Sequence, residues 1–384
     1  MNGRGAGDLR DCLEALYRAA LAGVDPRRGV AAALERPAVA RALASARRLG
    51  VFAVGKAAAG MLEAAPRGNA GLAILPERYP RPPSGKAEIL FASHPSPSRS
   101  SVAAARRALA FFGGFGEEDA ILCLVSGGSS SLLCLPRRRI TLARKRAAIQ
   151  KLMASGASIV EINRLRKRLS AVKGGKLGRA TRARLVTLVL SDVPGDDPAL
   201  VGSGPTVRGR SGDITLVVGS NARGLEAAGK KCREMGFEPI VRRQWLSGDA
   251  RERGARFARA ALRLERGRGL LAGGETAVTL SRHPGRGGRS LEFALGAALE
   301  LDGSEGIALL AAGSDGIDGA SRAAGAFADG TTIKRARRAD LDPWAALARH
   351  DTEAFFDALG DLLVTGPTGT NVCDWAFALR QRDI

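Results

Sequence analysis

Residues 47–65 read RRLGVFAVGKAAAGMLEAA, and this stretch decides the fold. Gly50 to Val54 is an apolar strand, Gly55 a turn, and Ala57 to Ala65 a helix. Strand, glycine turn and helix in direct succession open a βαβ unit. The pattern recurs. GLAILPE and AEILFASHPSP read as strands, SVAAARRALAFF as a helix, DAILCLVSGGSSSLL and RLVTLVLSDVPGDD as strands running into loops. Such alternation predicts a Rossmann-like, doubly wound parallel sheet. Around residues 207–213 (VRGRSGD) the chain turns polar and glycyl, which predicts a boundary between domains at 1–210 and 211–384. DITLVVGSN is expected to begin a second α/β series. Its further strands are LLAGGETAVTL, GIALLAAGSDGIDG and DLLVTGPTGTNV, with RSLEFALGAALEL as a long helix.

The 384 residues, 45% hydrophobic and only 4% aromatic, give ample length for two cores of Ala, Val and Leu. The formal charge is +21. The basic residues are scattered and have no interleaved aromatics to stack on bases, so nucleic acid is not the expected partner. The positive field would still attract a small anion. The five cysteines lie far apart without a CxxC, and the three histidines form no HxxxH, which argues against zinc. The first 21 residues carry acids in an amphipathic pattern unlike a signal peptide, and no apolar stretch reaches the roughly 18 residues of a membrane span. The expected location is the cytoplasm.

In a parallel sheet, ligands gather at the carboxyl ends of the strands. The segments found there are GK, HPSP, SGGSSS, SDVPGDD, GGET, GSDGIDG and TGPTGTN, all small, hydroxylic or acidic. In SGGSSS, Ser126, Gly127, Gly128 and Ser129 have almost no side-chain volume. Backbone N–H groups can therefore approach an anion, although a tight βα turn would use the same glycines. Lys56 at a helix start opposes the helix dipole unless an anion lies there. VGKAAAG is not a Walker A loop. From Ile162, INRLRKRLSAVKGGKLG packs six basic residues, opens with Asn163 and closes with Lys173-Gly174-Gly175. It is either a solvated basic helix face or a segment that closes over phosphates. Asp192 ends the strand VTLVL and could hold Mg²⁺ or take a hydroxyl proton. Asp196 and Asp197 suit turn or cap roles better, and Asp315 and Asp318 face the same choice. Arg289, at the start of a helix, suits bidentate recognition of phosphate or carboxylate, or else a surface ion pair. No Ser-His-Asp arrangement and no GxGxxG fingerprint is present, so an NAD(P)H-dependent reductase has little support.

These strand-end motifs, in this order, resemble the type II glycerate kinases, the MOFRL/DUF4147 or glycerate 2-kinase family, often labelled hydroxypyruvate reductase. The similarity runs nearly end to end: VGKAAAGM, HPSP, LVSGGSSSLL, INRLRKRLSAVKGGKL, LVLSDVPGDDPALVGSGPTV, LAGGETAVTL, GRGGRSLEFALGAAL, AAGSDGIDGASRAAGAFAD and LLVTGPTGTNVCD. The resemblance implies two α/β domains, an N-terminal Rossmann-like one and a C-terminal MOFRL one, with the active site in the cleft between them. It implies phosphorylation of D-glycerate by ATP with Mg²⁺, usually to 2-phosphoglycerate, by a monomer or homodimer. By motif, Lys56 and Arg289 are implied to stabilise charge on the transferred group, and Asp192 to act as base or metal ligand. Ser126, Gly127, Gly128, Ser129, Lys173, Gly174 and Gly175 are implied to bind nucleotide phosphates. Asn163, Arg168, Gly274, Glu275, Thr276 and Asp315 are implied to contact the acceptor. The chain departs from the family pattern at Ser98, Ser129, Ser131, Arg168 and Arg322, and GGRSLE stands where the family has GGRNQE. The Lys, the Arg and the central Asp are kept.

Overall fold

The computed structural model describes residues 5–77, 79, 85, 87–155 and 159–382. Its strands are β1 (Leu49–Val54), β2 (Ala70–Pro76), β3 (Glu88–Ala92), β4 (Ala120–Ser126), β5 (Arg184–Leu190), β6 (Ile214–Gly219), β7 (Glu238–Val241), β8 (Arg268–Gly274), β9 (Ile307–Gly313), β10 (Gly325–Asp329), β11 (Leu362–Leu363) and β12 (Asp374–Arg380). They form two six-stranded sheets in two compact units. No helix among the described residues is long and apolar enough to cross a membrane.

The first unit holds Asp25–Ser220 and Gly369–Asn371. Its sheet has the order β3-β2-β1-β4-β5-β6 and every pairing is parallel. β4 is buried at every position, as a strand covered on both faces must be. The helix Arg99–Gly113 begins at Ser98, whose hydroxyl accepts from Ser100 N, and lays Phe111 and Phe112 on the sheet. Phe52 and Phe112 meet edge to face at 5.1 Å. The strand order reverses between β1 and β4, so the loops after these two strands open the crevice where such sheets take ligands.

The second unit holds the residues up to Val24, Asn221–Thr368 and Val372 onward. Its sheet, β11-β10-β9-β12-β8-β7, is mixed rather than parallel. Only β7 and β8 pair in parallel, and β12 runs antiparallel between β8 and β9. The carboxyl ends of β8 and β9 and the start of β12 thus share one edge, where Asp374 faces Gly274 on one side and Gly313 on the other. The helix Arg289–Leu301, apolar almost throughout, is the centre of this unit's core.

Two expectations need correction. The boundary lies at Ser220 rather than 210, because β6 completes the first sheet. The polar VRGRSGD stretch is an edge loop pinned by Arg208, whose Nε donates to Asp213 at 2.7 Å. The helix Gly5–Gly23, expected in the first domain, belongs to the second unit. Tyr17 is buried there, donating to Gly313 O at 2.8 Å with its ring edge-on to Trp375.

Candidate active site

In the first unit, two strand-end turns lock onto each other. Gly55, after β1, has φ of +121°, and a Cβ there would strike Ser126 at the end of β4. Ser126 Oγ accepts from Ala57 N at 3.1 Å and donates to Val54 O at 3.3 Å, while Lys56 N donates to Gly127 O at 2.9 Å. SGGSSS is therefore fixed by its hydroxyl and carbonyl groups. The N–H groups of Gly127, Gly128, Ser129 and Ser130 have no backbone acceptor among the described residues. A row of open amides next to a lysine has the donor set for phosphate oxygens.

Gly127 shows what converges here. A Cβ on it would run into the carboxylate of Asp192 and the amide of Asn371. A Cβ on Gly128 would lie 3.1 Å from His94 Nε2 and 3.2 Å from Lys56 Cγ. The structure thus brings Lys56, Ser126, Gly127, Gly128, Ser129 and Asp192 together at the switch point. Asn371 and His94 join them; neither was among the expected site residues. One half-buried carboxylate beside an amide fits Mg²⁺, which usually takes one or two carboxylates and fills its shell with phosphate and water. No group of three or more metal-ligating side chains exists among the described residues.

The KGG stretch is built differently from the expectation. The amides of Gly174 and Gly175 donate to Ser203 O at 2.9 Å and Gly204 O at 2.7 Å, so they are already engaged. Lys173 is buried under SGGSSS, its Nζ donating to Ser130 O at 2.5 Å and Oγ at 2.8 Å. Asn163 lies inside the helix Ile159–Arg168 rather than opening it, and its Oδ1 accepts from Ser203 Oγ at 2.9 Å. The Asn163 contact and the two glycine amides latch the 201–204 turn in place. Arg168 is exposed at that helix's end.

In the second unit, Arg289 starts its helix as expected and lies between carboxylates. Nε and Nη2 donate to the two oxygens of Asp374 at 2.6 and 3.0 Å, and Nη1 donates to Glu275 at 2.5 Å. Burial works against the guanidinium charge, but Asp374 and Glu275 outweigh it and raise the proton affinity of Arg289 further. Burial pushes the Asp374 carboxyl up while Arg289 pulls it down. Asp318 is buried beneath the same helix, accepting from Leu291 N at 2.8 Å and Ser290 N at 3.1 Å. Burial raises its pKa to about 7, with the two amide bonds opposing. Asp318 is thus a cap. Asp315 and Thr276 are buried, and Gly274, Thr276, Ser290 and Asp374 line a small cavity. Asp374 was missed because it begins a strand, whereas Glu275, Thr276 and Asp315 lie just past the end of one.

Among known proteins, a family model described as a domain of unknown function, DUF4147, matches residues 12–218, and the MOFRL family model matches residues 268–374. A protein named D-glycerate 2-kinase from Thermotoga maritima is 34% identical, over 86% of this chain and 90% of its own. A protein named putative hydroxypyruvate reductase from Agrobacterium vitis is 40% identical, over 95% of this chain and 93% of its own. The crystal structure of a Thermotoga maritima glycerate kinase superposes with a TM-score of 0.83 at 31% identity, covering 97% of this chain and all of that one.

Proposed function

This chain belongs to the type II glycerate kinases, the DUF4147–MOFRL family, and on that premise we propose that it transfers the terminal phosphoryl group of ATP to D-glycerate, giving 2-phosphoglycerate. The observation that carries this is the glycine loop at the β1/β4 switch point, with four open amides beside Lys56 and Asp192. Phosphoryl transfer asks for positioning and charge neutralisation more than covalent chemistry. The amides of Gly127 to Ser130 hold phosphate oxygens. Lys56 neutralises charge on the migrating group. Arg289, fixed by Asp374 and Glu275, is the second neutralising group. Asp192, with Asn371 beside it, would hold Mg²⁺, which when bound supplies positive charge to phosphate oxygens. The same carboxylate orients the acceptor hydroxyl and receives its proton.

The test is ³¹P NMR of ATP, Mg²⁺ and D-glycerate incubated with the protein. Phosphate on the 2-hydroxyl couples to one carbon-bound proton and gives a doublet. Phosphate on the 3-hydroxyl couples to two and gives a triplet. A doublet supports the proposal, a triplet corrects its regiochemistry, and no new phosphomonoester overturns it. The reductase name carried by some relatives requires a nicotinamide site, and VGKAAAG after β1 lacks the GxGxxG pattern.

A further inference from the structure

A group of buried cations lies behind the SGGSSS loop, and the mechanism above does not use it. Lys145 and Lys173 are each only 1% exposed. Lys173 Nζ is engaged with Ser130, whereas Lys145 Nζ faces the Cys134 sulfur and meets no oxygen acceptor among the described residues. The chain path explains how they meet. The segment leaving the loop lies against the one entering KGG: Ala171 N donates to Leu135 O at 2.9 Å, and Arg137 N donates to Leu169 O at 3.1 Å. Cys134, in the first of these segments, feels Lys145, Lys173 and Arg166, and Lys173 feels the other two cations. No carboxylate among the described residues pairs with any of the three.

Such an arrangement is costly in isolation. An ammonium buried without an acceptor loses its hydration, and like charges nearby add repulsion. Burial, and then the neighbouring Lys145, hold the Lys173 proton affinity well below the ordinary lysine range, and burial lowers that of Lys145 and Arg166. A buried positive cluster that faces the Cys134 sulfur but no carboxylate, and that touches through Lys173 a loop whose amides have no backbone acceptor, lacks one component. That component is an anion.

We infer that Lys145, Lys173 and Arg166 form the charged floor of a site for a phosphate-type oxyanion seated on the SGGSSS amides. The site itself stands on the residues; only the assignment of its occupant to the nucleotide rests on the kinase reading. Lys173 acts through Ser130, holding the loop in shape. Lys145 and Arg166 act through the field they project in a low-dielectric interior. Seating the anion raises the proton affinity of the buried lysines, so binding takes up protons above neutral pH. The titratable and charged groups around them are Cys134 on the segment after the loop and Arg166 on the next helix. Lys176 feels Lys145 together with Arg137 and Arg179.

The test is calorimetric titration of the wild type and Lys145→Met with ADP, sulfate and D-glycerate separately, at pH 8, in two buffers of different ionisation heat. The expected result is proton uptake when the wild type binds ADP. Lys145→Met should bind about tenfold more weakly, take up fewer protons, and melt higher than the wild type without ligand. Sulfate showing the same dependence identifies a general oxyanion site; dependence with ADP alone identifies the nucleotide as source. Arg166→Gln gives the same comparison should Lys145→Met not fold. Affinity and proton uptake unchanged in the variant, or a dependence seen only with D-glycerate, overturns the inference. The NMR experiment is independent: Lys145-dependent ADP binding without phosphoryl transfer would remove the kinase reading and leave this site standing.

Discussion

The two units arrange charge at their sheet edges in opposite ways. In the first, the parallel sheet ends in a loop nearly without side chains, four of its amides have no backbone acceptor, and the buried charges behind them are positive. In the second, the cation at the sheet edge is held by carboxylates: Arg289 meets Asp374 through two bonds and Glu275 through a third. Glycine amides backed by buried lysines with no carboxylate beside them make a loop whose electrostatics favour an added anion. Paired arginine and aspartate make a group whose direction is fixed beforehand. The first arrangement favours affinity and the second orientation, the two requirements of phosphoryl transfer.

Breaking the first arrangement should have the largest effect. Gly127→Ala puts a methyl group into Asp192 and Asn371 and must displace the loop. Lys56→Ala removes the neutralising charge but leaves the Lys56 amide bond to Gly127 O in place. Both, and Asp192→Asn, should reduce turnover by roughly 10²-fold or more. Steady-state kinetics with D-glycerate and ATP measures this, and circular dichroism confirms the fold. Near-normal kcat in folded Lys56→Ala would remove the proposed role of that lysine.

The second arrangement should fail in stability as well as activity. Arg289→Met leaves Asp374 mostly buried with no cation, which costs about 3 kcal/mol. Adding Asp374→Asn to Arg289→Met removes the stranded charge and should restore much of that loss. Asp374→Asn alone leaves Arg289 tied to Glu275, so its kcat should fall by only about tenfold, with KM for ATP nearly unchanged. Thermal melts and kinetics on the three variants close the cycle. A double variant no more stable than Arg289→Met would show that the pair is not a unit.

The same contrast sets how much was legible in the sequence. In a parallel sheet every strand delivers its last residues to one edge, so the residues just past the strand ends reveal Lys56, Ser126 to Ser129 and Asp192. The rule is blind to a strand running the other way. β12 begins at the edge where β8 and β9 end, so Asp374 precedes an apolar run and reads as the tail of TGPTGTNVC. The short strands β7 and β10 escape for want of a clear apolar alternation. KGG reads like a phosphate cradle because its glycines do adopt positive φ, at +63° and +73°, but the sequence does not show that a distant turn already takes their amides. Asn371 reaches Gly127 from 244 positions away, which no local pattern reveals. Lys145 looks like any lysine on a basic helix until its burial is seen.

The effect smallest on activity concerns Asp318, where the second unit carries a buried carboxyl whose charge is opposed by burial. Its carboxyl caps the helix that presents Arg289, yet burial raises its pKa to about 7. In the unfolded chain an aspartate titrates near 4. Between about pH 4 and 7 the folded protein therefore holds a proton that the unfolded chain has released, and stability falls as pH rises through that window. The contribution is fully present below about pH 4 and gone above about pH 7. Asp318→Asn cannot ionise, so it should flatten this part of the profile by on the order of 3 kcal/mol, while one lost amide acceptor costs about 1 kcal/mol at every pH. Melting midpoints at pH 5 and pH 8 decide the matter. The wild type should lose several degrees more than the variant over that interval. An identical pH dependence in the two proteins would mean that Asp318 is ionised throughout, held by its two amide bonds and Arg289 against the penalty of burial.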